Sequence, residues 1–173
     1  MDFKAYVMKG VELVKLNRDM AEEVSRDENA FTPAVLFFAI GGLAGGIGAI
    51  FSGGAGSLIL IMPIVAVAAS FIGVGILYLL ARLFGGAGDF KGYYSALGIG
   101  YLTAWAGVIP FLGAVLSLWG IPVAVIITER VHRISMGKAV AVVLIPVAVV
   151  FLVAMLAFAG FMAFLTMAGK TPI

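Results

Sequence analysis

The 173 residues contain no cysteine, which excludes disulfides, thiolate metal sites and a thiol nucleophile. Histidine occurs once, at His132, so no multi-histidine metal centre can be assembled. Charge is scarce as well. Only 12% of the residues are charged, about half of the roughly 25% usual in soluble domains. What charge there is lies in a few places. Not one Asp, Glu, Lys, Arg or His falls between Thr32 and Ala81. A soluble surface cannot carry so long an apolar run, whereas a bilayer is its natural solvent. No Gly-x-x-x-x-Gly-Lys-Ser/Thr phosphate loop is present, so Gly85, Gly86 and Gly88 read as a turn between helices. The mixed, charged first thirty residues do not have the pattern of a secretory signal, and no lipidation motif is expected.

What is present is 63% hydrophobic residues and 23 glycines. Glycine weakens a soluble helix but lets membrane helices approach closely. Residues 1–30 are the one long polar segment. Phe3, Tyr6, Val7, Val11 and Val14 share a helical face, with Lys9 and Glu12 turned away. Such a helix either lies in the headgroup plane or packs on the protein's own cytoplasmic face. Asp19, Glu22, Glu23, Asp27 and Glu28, interspersed with Arg18 and Arg26, read as a solvated helix or linker. Two domains of organisation follow: this segment, 1–30, and a membrane domain, 31–173.

The membrane domain reads as an all-α polytopic bundle of five spans. Span one covers about 31–52 and holds two overlapping GxxxG pairs, Gly41/Gly45 and Gly42/Gly46, for helix packing. A turn at 52–57 leads to span two, 58–83. Span three, 93–109, and span four, 114–128, are short against the roughly 20 residues of a full crossing. They are two crossings, with or without extension at their ends, or a re-entrant hairpin, joined by a turn at Pro110–Gly113. Span five is 139–164. Two polar islands interrupt the apolar blocks: residues 82–92 and residues 129–138. Ten of the eleven basic residues fall in 1–30 and the islands, leaving Lys170 alone on the other side. Positive residues collect on the cytoplasmic face, which predicts an N-in, C-out multi-pass protein of the cell membrane.

The islands also carry a resemblance. Leu83-Phe84-Gly85-Gly86 with Asp89-Phe90-Lys91, then Leu97-Gly98-Ile99-Gly100-Tyr101, then Glu129-Arg130-Val131-His132-Arg133-Ile134-Ser135 before Lys138-Ala139, resembles the YIP family of Ypt/Rab-interacting membrane proteins. The likeness covers roughly residues 31–165. It implies a cytoplasmic N-terminus, five spans and a non-enzymatic trafficking or membrane-organising role. The chain lacks the acidic-Leu-Tyr-Gly-Pro pattern of members with longer N-termini, so it looks like a minimal prokaryotic-type member. The Rab partner of those relatives does not simply carry over.

No catalytic, cofactor or metal site is expected, and no nucleic-acid partner. No ionisable residue lies inside a predicted span, which disfavours a proton- or ion-coupled carrier. Membrane lipids, another copy of the chain or another membrane protein are the expected partners. Arg82, Asp89, Lys91, Glu129, Arg130, His132, Arg133 and Lys138 form the expected cytoplasmic contact surface, with Asp89 and Lys91 reaching the second island and Glu129 pairing within its own island. The alternative is a small transporter or channel, whose mid-membrane cavity would be lined by Ser70, Thr103, Ser117 or broken-helix carbonyls. Tyr93, Tyr94, Tyr101, Trp105 and Trp119 read as interfacial or packing aromatics.

Overall fold

A computed structural model describes residues 2–168, in which every regular element is helical. Lys170, the one basic residue expected on the far side, lies outside the described residues. Two compact units are present, dividing between Val143 and Leu144.

In the first unit the N-terminal helices are short and capped. Asp2 accepts from the Ala5 N–H at the start of α1 (Phe3–Val14). Asn17 accepts from the Asp19 and Met20 N–H groups at the start of α2 (Arg18–Arg26). Such caps satisfy backbone donors that the first helical turn leaves free. Four longer helices follow the apolar blocks: α3 (Phe31–Phe51), α4 (Leu58–Leu83), α6 (Pro110–His132) and α7 (Met136–Ala168). Each is long and apolar enough to cross a membrane. Between α4 and α6 the chain forms α5 (Phe90–Gly100), which continues as a 3-10 helix over Tyr101–Val108.

Two expectations about the middle of the chain need correcting. Pro110 opens a helix instead of making a turn, with extended backbone only at Ile109. Proline is at home there because its missing N–H is one that a first helical position leaves unpaired anyway. As a result α6 runs for 23 residues and is not short. The segment read as span three, 93–109, is α-helical only over its first eight residues, the last part of α5, and every residue from Gly92 to Gly100 is buried. This stretch therefore packs on all sides, its glycines and Ala96 allowing close approach while Tyr93 and Tyr94 fill the interior.

Glycine sets the close approaches. A Cβ on Gly42 would lie 2.5 Å from the Met62 carbonyl oxygen, and one on Gly46 would lie 2.7 Å from that of Leu58. Span one is therefore held against α4 of the same chain. Gly41 faces the Tyr101 ring, whereas a Cβ on Gly45 would meet nothing within 4 Å. Gly98 lies against Ala34, and Gly48 against the Gly107 carbonyl. The segment 98–107 therefore runs alongside α3 in the same direction, from Ala34 to Gly48.

The amphipathic α1 packs on the bundle. Leu13 is buried, the Gly10 backbone meets the Ile99 carbonyl, and Phe3 lies 5.6 Å from Phe37 and 6.4 Å from Trp105, ring to ring. Of the two readings of the acidic stretch, solvated helix or linker, the helix holds: Arg18, Asp19, Glu23 and Arg26 of α2 are exposed. Ala21 and Val24 of α2 are fully buried, in one core with Tyr93, Tyr94 and Ile127. Within this unit α7 contributes Ala139, Val142 and Val143 to a second core with Ala81, Val125 and Ile134.

The second unit is the remainder of α7, from Leu144. Apart from Thr166 it is apolar throughout the described residues, with Val150, Phe151, Leu156 and Phe158 all exposed, the surface expected of a helix bathed in lipid.

Candidate functional site

The two polar islands meet, but not through the ion pairs expected. At its C-terminus a helix leaves carbonyls without intrahelical partners, and each island supplies donors to the other's helix end. The Ala87 N–H donates to the His132 carbonyl at 3.0 Å, and Lys138 Nζ donates to the Phe84 carbonyl at 3.0 Å. Arg82 Nη1 donates to the Gly86 carbonyl at 3.2 Å. The glycine loop lies hard against α6. A Cβ on Gly86 would sit 2.9 Å from the His132 ring nitrogen, and one on Gly88 would sit 2.7 Å from the Val131 carbonyl. Only a side chain as small as hydrogen fits, so these glycines are a packing requirement and not a ligand cradle.

Among the described residues neither Asp89 nor Lys91 forms an ion pair. The Asp89 carboxylate instead caps α5, accepting from the Gly92 N–H at 2.8 Å. Glu129 pairs outside its island, with Arg18 of α2 at 3.3 Å. That bond crosses 111 positions of sequence, and no local pattern announces it. Arg82, Asp89, Lys91, Arg133 and Lys138 are exposed, whereas Glu129 and Arg130 are half-buried. His132 is fully buried, with its ring edge-on to Tyr93 at 4.5 Å and near Tyr78 at 5.8 Å.

Two tyrosines tie the interior together. Thr128 Oγ1 donates to its own helix at Ala124, so the Tyr93 hydroxyl donates to Thr128, at 2.7 Å. Ser70 Oγ donates to Val67, so the Tyr94 hydroxyl donates to Ser70, at 2.7 Å. On the outside of the N-terminal pair, Lys9 bridges Glu23 at 3.1 Å and Asp27 at 3.2 Å. The Tyr6 hydroxyl donates to the same Asp27 oxygen at 3.0 Å. Burial pushes the Asp27 carboxyl up, but the Asn29 N–H, Lys9 and Tyr6 outweigh it and hold the carboxyl below the usual carboxylate range. Trp119 of α6 donates to the Val14 carbonyl at 2.8 Å, fastening the end of α1. Trp105 likewise donates to the Phe37 carbonyl at 3.1 Å.

The second feature is a cleft of about 320 Å³ in the first unit. Its walls are α4 at Ser70, Gly73, Val74 and Leu77, and α6 at Ser117, Gly120 and Ile121. Leu97 and Gly100 of α5 and Tyr101 of the 3-10 segment close it between them. The lining carries no charge and is almost entirely apolar. The three hydroxyls expected around a transport cavity, Ser70, Thr103 and Ser117, do border it. Two of them are already engaged, Ser70 as above and Ser117 as donor to the Gly113 carbonyl at 2.7 Å.

The model of the Yip1 domain family matches residues 15–158. The chain belongs to the Yip1-domain family. The matched stretch contains both islands, the buried α5 and the whole cleft, so the clasp lies within the part that defines this Yip1-domain protein. Family membership and the four apolar helices together make it a membrane protein built as a transmembrane helix bundle. No characterised protein and no solved structure matches the chain. Among the described residues no three His, Asp or Glu side chains gather as a metal-binding group.

Proposed function

We propose that this Yip1-domain protein is a non-enzymatic scaffold that organises membranes or membrane traffic through lipid and protein contacts at its cytoplasmic face. One observation carries the reading. The N-terminal helices and both islands are joined at one end of the bundle, by Arg18–Glu129, Ala87–His132 and Lys138–Phe84. Lys91 and Arg133 are exposed there, as is Lys138 beside the Phe84 carbonyl that it binds, and basic side chains so placed suit anionic headgroups or an acidic partner.

Five crossings, N-in and C-out, in the cell membrane complete the proposal. Eleven α-helical residues and eight in 3-10 form rise about 32 Å, at about 1.5 and about 2.0 Å each. That matches a hydrocarbon core of about 30 Å. The pairing of 98–107 with α3 supports the same view. The chain has no native cysteine, so single cysteines at Ser57 and Ser135, both exposed, report the sides directly. An impermeant maleimide should reach Ser135→Cys only from the cytoplasmic side and Ser57→Cys only from outside. Labelling of both from one side would overturn the topology.

The transporter alternative gains little from the cleft, because two of its three hydroxyls are spent on their own helices and its walls are apolar. Proteoliposomes separate the readings. The scaffold predicts no solute flux, together with native-membrane partners that are lost when Lys91 and Arg133, which hold neither island to the other, are changed to Glu. Flux with no such partners would reverse the choice.

A further inference from the structure

The cleft between α4 and α6 has no part in the clasp, and its chemistry points to an occupant. At about 320 Å³ it is at the small end of the volumes that hold ligands. It offers no charge, and Ser70 and Ser117 already donate to carbonyls of their own helices, so a charged or strongly polar ligand would recover little of its lost hydration here. A helix from another chain is too large. With its side chains a helix is about 10 Å across and climbs about 5.4 Å per turn, so a single turn fills roughly 400 Å³. An alkyl chain is thinner, flexible and free of backbone polar groups.

Two glycines border this space, Gly73 at its exposed mouth and Gly120 half-buried on the facing wall. Elsewhere in the bundle glycine lets backbones touch, as Gly42 and Gly46 do against α4. Gly73 on α4 and Gly120 on α6 do not. A Cβ on Gly73 would meet nothing within 4 Å, and one on Gly120 would meet only Thr103 Oγ1, at an ordinary 3.5 Å. The missing side chains leave room between facing helices instead of drawing them together. An empty space of this size forfeits dispersion contacts along all its walls. In a bilayer the group at hand to restore them is a lipid tail.

We propose that the cleft is a lipid site which takes the terminal part of one acyl chain of a membrane glycerolipid, the headgroup and the rest of the chain remaining outside. The site stands apart from the scaffold reading, since either a scaffold or a transporter could carry it. It is tested with the full chain in phosphatidylethanolamine and phosphatidylglycerol vesicles doped with a phosphatidylcholine that bears a diazirine in one acyl chain. Val74, Leu97 and Val123 line the cleft but are only 5%, 9% and 2% exposed, so bulk lipid cannot reach them, whereas Ile72 and Leu79 face outward. Adducts on Val74, Leu97 and Val123 are expected beside those on Ile72 and Leu79. The Gly73→Leu, Gly120→Leu double variant, which fills the space, should lose the first set and keep the second. Adducts confined to Ile72 and Leu79 in the unaltered chain would overturn the proposal, whether or not the double variant folds. So would cleft labelling by a diazirine fatty acid in detergent with none by the phospholipid in vesicles.

Discussion

The seam between α3 and α4 and the cleft between α4 and α6 both contain glycine on membrane helices, and they use it in opposite ways. At the seam, Gly42 and Gly46 put one backbone against the carbonyls of the other. At the cleft, Gly73 and Gly120 border open space. The same residue type therefore says nothing about contact until its neighbours are known. A helix pair with glycine facing backbone is rigid and intolerant of bulk. One with glycine facing a void can accept a side chain, or a lipid in its place.

The largest effect should come from breaking the seam. Gly42→Leu, against the Met62 carbonyl, forces backbone apart and should cost about 3 kcal/mol, read by unfolding in a denaturing-detergent titration. A cost near zero would mean that α3 does not sit as described. Next is Tyr93→Phe, which removes a buried donor to Thr128 and should cost about 1 to 2 kcal/mol in the same titration. Arg18→Ala should cost about 1 kcal/mol, because Arg18 is 43% exposed while its partner Glu129 is only 16% exposed. A double-mutant cycle with Glu129→Gln isolates the pair, and no coupling would dismiss it as a docking contact.

Smaller again is the pH response of the N-terminal helices. The folded-state pKa of Asp27 is depressed, so its stabilisation is present above the unfolded carboxyl value and is lost as pH falls through the folded one. The Lys9 ammonium is also affected. Burial disfavours its charge, but Glu23 and Asp27 more than compensate and raise its pKa. Its contribution is therefore full below the unfolded lysine value and is lost only as pH rises through the folded one. Melting of α1 and α2 should be level between these limits and decline below about pH 4, and Asp27→Asn should lessen the acid-side decline, leaving the part due to Glu12, whose pKa Lys15 and Asn17 also lower. The smallest effect expected is that of Gly73→Ala. With nothing to strike, it should leave stability unchanged or raise it by up to about 1 kcal/mol, through helix propensity alone. Together with Gly42→Leu it sharpens the contrast between seam and cleft.

Much of the fold was legible in the chain itself, and the misses share a cause. The bounds of α3 and α4 follow from uninterrupted apolar blocks closed by a Ser/Gly turn and by Arg82. Pro110 was misread because proline both makes turns and opens helices, and only the extended Ile109 before it decides between them. The segment 93–109 was ambiguous because its length fits no single regular form. The Tyr93–Thr128 and Tyr94–Ser70 bonds had no signal beyond aromatic residues near small polar ones. The buried face of α2 was missed because the charges of its acidic run hide how completely Ala21 and Val24 are enclosed.

Composition and charge placement by themselves determine that this chain is a helical membrane protein with a polar N-terminal segment and two polar islands. Those properties are local sums: apolar length sets where helices can lie in a bilayer, and basic residues mark its ends. Only the tertiary structure decides how the islands meet, which glycines touch backbone and which border space, and that Glu129 belongs to Arg18. Each of these is a pairing between residues far apart in the chain. It is settled by which surfaces pack together, and no window of sequence contains both partners.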